Sequence, residues 1–63
     1  MMLETLLAAF ITAEEDLVRH LCADDDLALM EERDLRARAN EDAALRAVID
    51  AFDDAAAALW GSQ

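Results

Sequence analysis

No proline occurs in these 63 residues, and the only glycine is Gly61. Tight turns rely on those two residues, glycine for backbone angles closed to other side chains and proline for its pre-set φ. A chain nearly without them has few places to reverse direction as a β-hairpin or sandwich requires. The abundant residues are Ala, Leu, Glu and Arg, all of which lose little on entering a helix. The sequence therefore predicts an all-α protein, a small three-helix bundle or helical hairpin spanning 1–63 as one domain. Helices are expected over about 3–22, 26–39 and 41–60.

The last of these has the clearest pattern. Leu45, Val48, Ile49, Phe52, Ala56 and Leu59 recur at spacings of three and four, which draws one apolar stripe along a helix. Glu41, Asp50 and Asp54 fall on the opposite face. Asn40 is placed to cap the N-terminus, with Glu41 and Asp42 in the first turn, and Gly61 to stop the helix. In the first helix Leu3, Leu6, Leu7, Phe10, Leu17, Val18 and Leu21 share one face, but Glu14 falls inside the same arc. A kink is one resolution, since Thr12-Ala13-Glu14-Glu15 has the form of a capping box; an oligomer contact or an arginine partner is another. In 26–39 the apolar residues Leu27, Leu29, Met30 and Leu35 scatter around the wheel, as in a helix touched on several sides. One of Asp24, Asp25 and Asp26 is expected to cap it.

Chains of roughly 60 residues bury only about 60% of their extended surface and are marginal without a staple or a partner. Cys22 is the sole cysteine, so no internal disulfide is open to the chain. It is expected to act as a small buried hydrophobe and to fit a reducing, cytoplasmic setting. Residues 1–16 are too short to span a bilayer and contain Glu4, and they lack the positive region of a signal peptide.

Fifteen acids face five arginines and no lysine, a net charge of −10. That balance argues against direct contact with nucleic acid or an anionic membrane, both of which require a basic footprint. Hydrophobic residues make up 57%, too many for a disordered acidic tail. Catalysis is disfavoured by inventory. One histidine is present, Ser62 lies in the terminal tail, and no phosphate-binding loop occurs. Asp16 and His20 share a helical face, but facing-helix metal sites use Glu-x-x-His pairs, which are absent. No metal or other cofactor is expected.

What remains is binding. Acids three and four apart on a helix lie about 5–6 Å from one another, a spacing on the scale of neighbouring phosphates. Rigid helices carrying such rows would suit the basic groove of a nucleic-acid-binding protein. The expected partner surface comprises Glu14, Glu15 and Asp16; Asp24, Asp25 and Asp26 with Glu31 and Glu32; and Asp50, Asp53 and Asp54. In size, charge and composition the chain is similar to the phage-encoded DNA mimics that inhibit host defence, the anti-CRISPR and anti-restriction proteins, and the likeness implies a non-enzymatic inhibitor. The alternative is a self-associating helical adaptor, a homodimer meeting through Met30, Leu35, Phe52 and Trp60, whose acidity serves solubility or salt tolerance. Arg33, Arg36 and Arg38 would then pair with acids of the first helix or of a second chain.

Overall fold

Two long helices, α1 (Leu3–Cys22) and α4 (Ala43–Gly61), pack against each other over most of their length. They run antiparallel: Phe10 meets Trp60 near one end, while Leu17 faces Ile49 and Phe52 nearer the other. The chain between them forms two short helices, α2 (Asp25–Ala28) and α3 (Glu32–Ala39). α2 rests on α1 and α3 on α4. The computed structural model describes residues 2–61, and no strand occurs among them. The all-α expectation holds.

Packing is densest where the short helices meet the long pair. Leu45 is fully buried, and Leu27, Ala39 and Ile49 are nearly so; Leu17, Leu21, Met30, Leu35 and Val48 close around them. The periodicity of α4 is realised as expected. Leu45, Ile49 and Leu59 are buried, with Val48, Phe52 and Ala56 half-buried.

The helix expected over 26–39 is instead two helices. Leu29 ends α2 and stands 87% exposed, and Glu31 is extended at φ −75° and ψ 160°. The scatter of apolar residues on the wheel came from this break. On one continuous helix, at about 100° per residue, Met30 and Ala39 would point to opposite sides. With the chain re-aimed between 29 and 31, both reach the same core.

The caps also differ from expectation. Asn40 closes α3 rather than opening α4. Asp42 immediately precedes α4, and its Oδ1 accepts the Leu45 N–H at 3.1 Å. Residues 40 and 41 are used up in turning the chain, their N–H groups donating to the carbonyls of Ala37 and Arg38. Asp24 caps α2 as expected of one member of the aspartate run, accepting the Asp26 N–H at 2.9 Å. Gly61 is the last residue of α4, and its φ is not positive. The residues beyond it, which bear on the expected stop, lie outside those described.

α1 runs unbroken through Thr12–Glu15, so the capping-box sequence starts no new helix. Its wide apolar arc divides into two strips. Leu6 and Ala13 are buried, and Phe10, Leu17 and Leu21 half-buried, on the side turned toward the rest of the chain, whereas Leu3, Leu7, Ile11 and Val18 are 46–57% exposed. Glu14 belongs to the exposed strip, which removes the apparent conflict of an acid in a buried face. Cys22 is exposed, contrary to expectation. It projects with the Ile11–Val18 strip, and Leu21 takes the inward position beside it.

Two outcomes test this packing. Leu45→Ala should cost about 2–5 kcal/mol, most of the roughly 3–9 kcal/mol available to a 63-residue domain. A thermal melt followed by far-UV circular dichroism should show loss of most cooperative unfolding. Asp42→Ala should cost about 0.5–2 kcal/mol through loss of the cap, while Asn40→Ala should have a smaller effect.

Candidate protein-interaction surface

The eleven acids singled out in the sequence divide into two groups on folding. Four enter ion pairs. Asp16 meets Arg19 at 3.5 Å, and Asp50 meets Arg46 at 3.6 Å, both along single helices. Glu32 and Asp53 converge on Arg36, which joins α3 to α4. Asp24 is engaged in its cap. The other six, Glu14, Glu15, Asp25, Asp26, Glu31 and Asp54, are exposed and make no ion pair among the described residues.

Their arrangement is uneven. Glu14, Glu15 and Asp16 are consecutive, so they fan out by about 100° each and form no row. Asp50 and Asp54 are four apart and share an outward face. The densest concentration lies at the starts of the short helices, where Asp24, Asp25 and Asp26 open α2 and Glu31 and Glu32 open α3. At these ends the carboxylates complement helix dipoles. Of the three arginines in this region only Arg36 is ion-paired; Arg33 and Arg38 make no ion pair among the described residues.

Arg36 holds the most specific polar contact in the molecule. Its two terminal nitrogens donate to both oxygens of Asp53, at 2.9 and 3.0 Å, in the fork geometry that suits guanidinium and carboxylate. Nε and one terminal nitrogen also reach Glu32 Oε1, at 3.3 and 3.2 Å. The Glu32–Arg36 spacing of four was visible in the sequence. Asp53 was not linked to it, because nothing local connects positions 17 apart. The hydrogen bonds from Arg36 hold the Asp53 carboxyl below the usual carboxylate range, partly opposed by desolvation. Asp53 and Glu32 in turn push the Arg36 guanidinium up.

These three residues rim a groove of about 290 Å³ floored by Leu17, Leu35, Ile49 and Phe52. Of the expected self-association residues, Leu35 and Phe52 therefore line an intramolecular groove, and Met30 packs on the core. Phe52 also lies against Phe10, ring centroids 5.2 Å apart. Trp60 alone is mostly outside, 59% exposed, with its ring edge-on to Phe10 at 5.3 Å. Asp16 and His20 have no third His, Cys, Asp or Glu placed with them to hold a metal ion among the described residues. No helix there is long and apolar enough to cross a membrane.

Because the Asp53 carboxyl is depressed when folded, its tie to Arg36 contributes stability above the unfolded value of about 3.9 and loses it as pH falls through the lower folded value. Asp53→Asn should be less stable than wild type in urea at pH 7. The gap between the two chains should close in the acid range below pH of roughly 3.9. Both chains share the general relief of charge repulsion, so the difference isolates the pair.

Compared with protein-family models, curated proteins and solved structures, the chain matches none of them.

Proposed function

We propose that the chain acts by binding, without catalysis, and presents acidic surface to the basic groove of a nucleic-acid-binding protein, in the manner of the phage anti-defence DNA mimics it resembles in charge and size. The observation that supports this most is the survival of Asp25, Asp26 and Glu31 as exposed acids outside any ion pair among the described residues. Folding engages the neighbouring Asp24 in a cap and Glu32 in an ion pair, whereas these three face solvent with only the general attraction of an acid to a helix N-terminus to hold them. Their mutual repulsion, added to a net charge of −10, opposes folding of a small domain. A basic partner would relieve it.

Asp24 must be spared in any test because it caps α2. Asp25→Lys, Asp26→Lys and Glu31→Lys together should leave the helical signal intact and weaken partner binding at least tenfold, about 1.4 kcal/mol. Binding to the partner should also weaken steeply between low and high salt and be competed by duplex DNA. A partner bound equally well by the variant and indifferent to salt would sink the reading.

The second reading is a helical bundle completed by dimerisation, with acidity serving solubility. Trp60, only partly covered by Phe10, favours it.

A further inference from the structure

Nineteen of the twenty charged side chains lie between Glu14 and Asp54; residues 2–13 contain only Glu4, and residues 55–61 contain none. The antiparallel packing of α1 and α4 brings these two segments to the same end of a molecule 36 Å long and 18 Å wide. One pole is therefore almost uncharged in a protein that is 32% charged overall.

Among the described residues no third helix covers the same pole. α3, at roughly 12 Å, covers less than half of α4, which runs roughly 28 Å, and α3 is tied to α4 at Asp53, toward the other end. Left open are Leu3 at 57%, Leu7 and Ile11 at 46% and Trp60 at 59% exposure. Leu3, Leu7 and Ile11 follow one another at four-residue spacing, and Trp60 stands at the same end of the molecule, edge-on to Phe10. Exposed apolar area without charge is what interface centres look like, and isolated surface residues do not account for it.

The chain as a whole exposes 4631 Å², roughly 600 Å² more than the ~4,000 Å² usual for a compact monomer of 6.9 kDa, as expected of an elongated molecule with apolar surface left uncovered.

We infer that this uncharged pole is a self-complementary dimer interface, occupied by the same pole of a second copy. Charge decides between occupants. A basic partner would meet only Glu4 here, so it gains nothing at this end. A second copy supplies matching apolar surface and places the two charged halves, residues 14–54, at opposite ends of the pair. That arrangement keeps two chains of charge −10 as far apart as one contact allows. A two-fold axis near Leu7 would set Leu7 against its own equivalent and Leu3 against Ile11 of the second copy. Glu14 then falls outside the contact. This inference is independent of the acidic-surface reading, and salt separates them: screening should strengthen the dimer and weaken an acid-mediated complex.

The test is light scattering after size exclusion, over a range of concentrations, with the emission of Trp60, the only tryptophan. The expected result is a mass twice 6.9 kDa, favoured by added salt, with Trp60 emission shifting to the blue as the dimer forms. Leu7→Lys with Ile11→Lys should raise the dimer dissociation constant at least tenfold, although it lowers the net negative charge and so the repulsion between copies. Leu29→Lys, a charge change at an exposed site outside the pole, should leave the dimer intact. Circular dichroism verifies that each variant is helical. A wild-type chain that stays monomeric at every concentration, or a dimer unaffected by the Leu7 and Ile11 changes, would overturn the inference. So would a Trp60 shift that occurs only on adding zwitterionic vesicles, since the occupant would then be lipid.

Discussion

The seam between α1 and α4 is the contact on which every other part of this molecule depends. α2 has a single turn and α3 just over two, lengths at which isolated helices do not persist in water. They exist because the long pair offers them Leu17, Leu21, Leu45 and Ile49 to cover. In return they bury Leu45, which neither long helix could do alone. The core is small, so the loss of one large side chain is a sizeable fraction of the whole.

Onto this apolar frame the charges are added under a constraint. With fifteen acids and five arginines, most carboxylates must go without a cation. The forked contact of Arg36 with Asp53 is placed where it fixes α3 on α4. Arg19 and Arg46 are used locally along single helices at longer distances, contacts of the kind that contribute little. Of the acids left over, Asp25, Asp26, Glu31 and Asp34 open the short helices, where dipoles tolerate them, while Glu14, Glu15 and Asp54 lie along the long pair.

Legibility in the sequence followed the range of the interaction. The stripe of α4 could be read because a helix repeats its own period over 19 residues. The aspartate cap of α2 could be read because capping is local. The break at 29–31 could not, since it contains no proline or glycine and is imposed by the need of Met30 and Ala39 to reach one core. Asp42 displaced Asn40 as the cap of α4 for a related reason: the turn had to close α3 first. The apolar arc of α1 was visible, but not which part of it the rest of the chain covers: Leu6, Phe10 and Leu17 turn inward, while Leu3, Leu7, Ile11 and Val18 stay exposed. Cys22 followed the same geometry to the exposed side.

The distribution of charge bears on both proposed contacts together. A chain whose acidity served solubility alone would gain most by placing charge where apolar surface is exposed, because that is where association starts. Here the most exposed apolar pole has one acid and the already polar half has the rest. Segregation of that kind makes sense if the two ends meet different surfaces, one apolar and one charged. The contacts would also respond to salt in opposite directions. A dimer formed through the uncharged pole would carry two acidic ends, and toward a partner with two linked basic sites the second end would bind at raised effective concentration once the first is bound.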